Sequence, residues 1–388
     1  MITTAFTYIT ALLFIAGSLT LLEQKTRWKL FEYLPAIVLL YFSVMVFSTL
    51  GLWHKTESIN GAYQTLKTNL LPAMIFLMLL DADLRQISKL GSKMLLAFFA
   101  AALSIGLAFV LTFTLFLPYL QPEAWKTFAA LSGSWMGGTG NMAAVQAALN
   151  VPDASMGYTL LIDSIDYAMW VMLLLALVPF AKRFNHWVGA DSKVLEKVSA
   201  GLAKRAVPEV GEKTTQLLIL LSGSMLVSVI TQAVAAQLPV STFFTTTAWT
   251  VLLVTVLGVI AAMTPVSKIW GGKELSGLML YLIIALIASR ANFNQLTEAP
   301  VYIVMGLVIL LIHGVLMVIV AKLFKLDLFT CGIASLANIG GVASAPILAA
   351  AYSRALVPVG VLMAMLGYII GTGGGLLVGR ILAWISVW

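Results

Sequence analysis

The stretch Ser134-Trp-Met-Gly-Gly-Thr-Gly-Asn-Met-Ala-Ala144 decides how this chain folds, because it breaks an apolar segment with three glycines in four positions. A second such run, Ser335-Leu-Ala-Asn-Ile-Gly-Gly-Val-Ala-Ser-Ala-Pro346, lies at the corresponding place in the other half. An offset of 201 residues superposes Ser134 on Ser335, Gly140 on Gly341, Ala144 on Ala345, Ala148 on Ala349 and Tyr167 on Tyr368. Lipid offers no water to pair freed backbone groups, so a broken backbone at membrane depth must line a protein-enclosed cavity. Matched breaks in two halves point to the binding site of a secondary transporter. The alternative is glycine used for close helix packing, which the neighbouring Asn and Ser serve poorly.

Composition supports a membrane setting. Of 388 residues, 61% are hydrophobic and only 10% charged, and the mean hydropathy is +0.99; soluble domains carry roughly 25% charged residues. The apolar start, Ala5 to Leu22, reads as a first spanning helix and not as a cleavable signal, since it lacks a basic flank and a small-residue cleavage site. The net charge of +7 sits in loops between apolar spans, which fits positive-inside topology and not nucleic-acid binding. Cys331 is the single cysteine, and the three histidines, His54, His186 and His313, have no zinc spacing. No phosphate-binding loop or nucleophile–base order is present, so no cofactor is expected and an enzyme or sensor is the least favoured reading.

Twelve apolar segments fall near 5–22, 31–52, 68–83, 94–118, 127–149, 157–181, 215–237, 245–263, 275–290, 299–321, 329–351 and 356–386. A polar stretch, 182–214, divides them six and six; its part from Val194 to Ala206 reads as a surface amphipathic helix. The chain therefore divides into a first half, 1–181, a linker, 182–214, and a second half, 215–388. If the two broken segments are re-entrant, each half crosses five times and the halves have opposite orientation, an inverted repeat. With the linker inside, that arrangement puts 18 of 23 basic residues on the inner side; crossing segments give at best 15. The charge rule thus favours re-entrance, with both termini outside. A further match, Ala82-Asp-Leu-Arg-Gln86 with Ala291-Asn-Phe-Asn-Gln295, follows the third span of each half.

The carboxylates deep in an apolar span are Asp163 and Asp166, three residues apart on one helix face. Charge there costs at least about 2.5–3.5 kcal/mol, and no Lys or Arg lies in the neighbouring spans. A sodium ion, a proton or a polar cavity relieves it, and a structural carboxylate bonded to broken backbone is the alternative. The breaks supply the complement: Gly137, Gly138, Gly140, Gly340 and Gly341 free the backbone, and half-helix ends attract ions. Thr139, Asn141, Ser335, Asn338 and Ser344 are candidates to bond a solute, or to cap helix ends. Gly371-Thr-Gly-Gly-Gly375 reads as a packing stretch. His313 reads as a neutral histidine bonded to a neighbouring helix, with a proton relay as alternative. Asp81, Asp83 and Arg85 lie at a span end, and Trp28, Trp53, Trp270 and Trp388 read as interfacial anchors.

At Gly137-Gly-Thr-Gly140 the chain resembles the GGXG re-entrant motif of sodium–glutamate and sodium–citrate symporters, within the superfamily of cation/proton antiporters and anion transporters. Gly137 to Gln146, Ser335 to Pro346 and Gly367 to Gly375 resemble more closely a bacterial membrane family known as domain of unknown function 819, over nearly the whole chain. The second half departs from GGXG, reading Asn338-Ile-Gly-Gly341. The resemblance implies a multi-pass inner-membrane protein in which a core carrying the broken segments moves against a scaffold, often in a homodimer. It also places Asp163 and Asp166 near the ion-binding aspartates of sodium/proton antiporters. The expected function is sodium- or proton-coupled symport of a small anionic or zwitterionic solute (amino acid, short peptide or carboxylate), with sodium/proton antiport as the alternative.

Overall fold

The computed structural model describes residues 1–26, 36–190, 212–241, 244–291, 299–353 and 356–387. The expected surface helix from Val194 to Ala206, Trp28, Trp388 and the Asn292–Gln295 part of the second internal match lie outside these residues. Among the described residues the chain is all-helical, apart from one bridge pairing Ile2 with Trp53. Six helical stretches are long and apolar enough to cross a membrane.

The helices form two groups. The first contains α1 (Ala5–Thr26), α2 (Ala36–Thr49) and α3 (Glu57–Leu79), joined by α9 (Lys213–Ala235), α10 (Thr246–Ala262) and α11 (Gly272–Ala288). The second contains α4 (Gly91–Phe116), α5 (Ala124–Gly137), α6 (Thr139–Ala148) and α7 (Met156–Leu177). It is completed by α12 (Ala299–Phe324), α13 (Leu328–Ile339), α14 (Gly341–Tyr352) and α15 (Val357–Ile385). Between the groups in sequence lies a short helix, α8 (Ala181–Val188). Each half of the chain therefore gives its first three long helices to a scaffold and the rest to a core. One correction concerns α3, which begins at Glu57, capped by the Thr56 hydroxyl, well before the apolar segment expected from residue 68. Its first turns are polar because they face the polar groups of a cleft and not lipid.

Both glycine breaks are hairpin tips. Gly138 has φ +89° and Gly341 has φ +57°, left-handed values that glycine adopts without the Cβ penalty. In hairpin 1 (α5 and α6) the arms fold together: a Cβ on Gly133 would come within 2.8 Å of Val145, twelve positions on. Collinear arms would hold those residues about 18 Å apart. In hairpin 2 (α13 and α14) Phe329 and Tyr352, at the outer ends of the two arms, meet edge to face at 5.1 Å.

A glycine seam holds hairpin 1 to α15. Gly367, Gly371, Gly375 and Gly379 recur every fourth residue and so form one stripe. A Cβ on Gly371 would approach Gly137 Cα to 2.7 Å, and one on Gly375 would approach Gly133 Cα to 2.9 Å. The packing reading of glycine is thus right for this seam and for Gly137, while Gly138 and Gly341 are conformational. Trp53 is a further correction: it is buried, edge to face with Tyr8, and donates to the Ser289 carbonyl at 3.2 Å, so it ties α1 to α11 and does not anchor at an interface.

Candidate functional site

The two hairpin tips meet at a cavity of about 320 Å³ on the boundary between scaffold and core. Gly138, Thr139 and Gly140 line it from hairpin 1, and Ile339, Gly340, Gly341 and Val342 from hairpin 2. Asp163 and Tyr167 enter from α7, and Tyr368 from α15. The scaffold closes it with Ile37 and Val38 of α2, Met78 of α3, and Leu280 and Tyr281 of α11. The second arm of each hairpin starts here, so two helix N-termini bring unpaired N–H groups and positive dipole ends to one space.

Asp163 is half-buried, and its Oδ1 accepts from the Ser134 hydroxyl at 2.9 Å and the Trp135 indole at 3.0 Å. These bonds fix the carboxylate to the first arm of hairpin 1 while it borders the cavity. Asp166, one turn further along, is elsewhere. It is fully buried, and neither carboxylate oxygen has a hydrogen-bond partner. It rests against Gly306 of α12, where any Cβ would collide with Asp166 Oδ2. The two aspartates are therefore different sites: one borders the cavity, the other is buried in a helix interface.

The polar candidates divide in the same way. Thr139 lines the cavity. Asn141 does not: its Nδ2 donates to the Gly137 carbonyl at 2.6 Å, and its Oδ1 accepts from Thr372 Oγ1 at 2.6 Å. It caps the broken arm and clamps hairpin 1 to α15. Asn338 donates to the carbonyls of Ala334, at 2.9 Å, and Phe98, at 3.3 Å, tying hairpin 2 to α4. Ser344 packs under Gly340 beside Tyr167. Ser335 accepts from the Trp170 indole at 2.8 Å and bonds His313 Nε2 at 2.7 Å. His313 Nδ1 bonds Ser104 Oγ at 2.7 Å, and Ser104 donates to the Ala101 carbonyl. One consistent direction runs Trp170, Ser335, His313, Ser104, Ala101; it makes the imidazole a neutral Nδ1–H donor. Three cavity tyrosines were not among the candidates. For two of them a signal existed, because Tyr167 and Tyr368 are partners at the 201-residue offset.

A second cleft, of about 420 Å³, also separates scaffold from core. At its edge Asp153, in the connection after hairpin 1, gathers donors from both sides. Lys67 Nζ reaches Oδ1 at 2.6 Å, Gln146 Nε2 reaches Oδ1 at 2.7 Å, and the Tyr63 hydroxyl donates to Oδ2. Arg290 lies 4.4 Å above the Tyr63 ring and donates to Asn60 at 2.7 Å. Nothing in the sequence spacing joins Lys67 to Asp153, so this link was not legible there. At the opposite end of α3, Asp83 caps a short turn and pairs with Arg85 through two 3.0 Å bonds, which hold its carboxyl below the ordinary range.

The model of the family described as "Protein of unknown function (DUF819)" matches residues 10–385. The chain belongs to the DUF819 family. It is also 24% identical to the uncharacterized membrane protein YjcL of Bacillus subtilis (strain 168), over 92% of each chain. The resemblance drawn from the glycine runs is thus the family itself, and the protein is a membrane protein. Among the described residues no group of His, Cys, Asp and Glu is arranged to hold a metal by its side chains alone. A cation at Asp163 would need backbone carbonyls, water or solute oxygens as further ligands.

Proposed function

We propose that this DUF819 protein is a secondary transporter of the bacterial inner membrane, coupling a sodium ion or proton to symport of a small anionic or zwitterionic organic solute. The observation that carries this reading is the convergence of both hairpin tips and Asp163 on one cavity between scaffold and core. Two helix N-termini favour a solute carboxylate, and Asp163 favours a cation or an ammonium group. A volume of about 320 Å³ is at the small end of ligand pockets.

On this reading the halves form an inverted repeat. α1 to α3 correspond to α9 to α11, α4 to α12, hairpin 1 to hairpin 2, and α7 to α15. The hairpins are re-entrant from opposite sides, and the other ten long helices cross. Ends that meet in space agree with this: Tyr63 with Asp153 at one face, and Leu328 with Asn185 at the other. The asymmetric part is the carboxylate pair, whose offset partners are Ala364 and Gly367.

Asp166 favours a second reading, sodium/proton antiport, because its buried carboxylate oxygens have no hydrogen-bond donor within the fold and are left to a bound sodium ion or proton. Purified protein in sealed vesicles separates the two. Symport predicts a lumenal pH or sodium change only when amino acids, short peptides or carboxylates are supplied with the ion. Antiport predicts a pH change on adding sodium alone. No response in either arm would overturn both.

A further inference from the structure

An apolar groove of about 490 Å³ runs along the outside of the core between α7, α12 and the first arm of hairpin 2. Leu173 and Leu177 form one wall and Leu311, Val315 and Val318 the other. In its floor the Trp170 indole and the Ser335 hydroxyl are bonded to each other, so they offer nothing to a polar ligand. From Leu310 to Ile319 the groove follows nine helical steps, about 14 Å. That is close to one leaflet of a ~30 Å hydrocarbon core.

The end of the groove is basic. Phe180 and Phe184 close it; at 100° per residue Lys182 falls on the opposite face of that turn and Arg183 to one side. Lys322 and Lys325 lie at the end of α12, and Lys322 joins the two elements by donating to the Trp187 carbonyl and lying 4.8 Å over its ring. All four cations are exposed, and none has a carboxylate ion pair among the described residues. Basic pockets at the ends of transmembrane helices bind acidic headgroups.

We propose that this groove binds one acyl chain of an anionic phospholipid, whose phosphate is held by Lys322 and Lys325, which continue the Leu311, Val315 and Val318 stripe of α12. The chain lies against Leu328, Cys331 and Gly332 of hairpin 2, so bound lipid bears directly on the element carrying Gly340 and Gly341. The alternative occupant is a second copy of the protein.

Delipidated full-length protein, returned to mixed phosphatidylglycerol and phosphatidylcholine, tests this by native mass spectrometry of retained lipid. Wild type should keep phosphatidylglycerol at least about 10-fold over phosphatidylcholine. Lys322→Gln with Lys325→Gln should lose that preference, whereas Lys89→Gln with Lys93→Gln, around the start of α4, should keep it. Val315→Trp, at an exposed position, should fill the groove and lose the retained lipid while melting at the wild-type temperature. Equal retention of both lipids by wild type would overturn the proposal. So would undiminished phosphatidylglycerol on Val315→Trp, or a dimer that crosslinks through a cysteine at 315.

Discussion

Asp163 and Asp166 are the same residue type one turn apart on α7, yet their surroundings assign them different work. Asp163 is already held by two donors and borders the cavity, so Asp163→Asn should abolish ion-dependent solute uptake with little change in melting temperature. Asp166 has no donor to lose. Its replacement by the nearly isosteric Asn should leave the fold intact, and loss of the pH change that sodium alone produces in vesicles would mark it as an ion site. Loss of folded Asp166→Asn protein would show instead that the carboxylate is structural. The asparagines at the breaks behave differently. Asn141→Ala leaves the Thr372 hydroxyl and the Gly137 carbonyl without their partner and should cost about 1–3 kcal/mol of stability. Thr139→Ala should leave melting unchanged and weaken solute binding, read by thermal shift with the solute.

At the scale of the elements, each hairpin combines a conformational glycine with a packing surface. Gly371→Ala should destabilise by about 1–3 kcal/mol, because the new methyl meets backbone at Gly137. Gly373→Ala, which faces open space, should be nearly neutral; the comparison needs only melting curves. The hairpins were legible in the sequence because lipid forbids broken backbone outside a cavity, so paired glycine runs within apolar segments have few explanations. Their clamps were not. Asn141 and Ser335 look the same as solute ligands in a sequence, and only the position of Thr372, or of Trp170 and His313, shows that their bonding capacity is used within the fold. The start of α3 was hidden for another reason. A hydropathy window seeks lipid-facing residues, and Tyr63 and Lys67 face a polar cleft.

Across the whole molecule the boundary between scaffold and core holds both clefts, and Asp153 links the two groups across it. If the core slides, the Lys67–Asp153 pair must part. Lys67→Gln or Asp153→Asn should therefore shift the balance of conformations by roughly 10- to 150-fold, as expected for loss of a charged hydrogen bond of about 1.5–3 kcal/mol. The readout is the labelling rate of a reporter cysteine from each side of the membrane; the swapped pair, Lys67→Asp with Asp153→Lys, should restore it. Unchanged rates would make the pair a static brace. The central claim is that the hairpin tips enclose the solute and ion path, and one measurement tests it most directly. In a Cys331→Ala background, a cysteine replacing Thr139 and, separately, one replacing Val342 should react with a small water-soluble thiol reagent, and coupling ion with solute should slow both. Both cysteines inert in folded protein would mean that the tips are dry packing elements, and the assignment of the cavity as the transport site would be wrong.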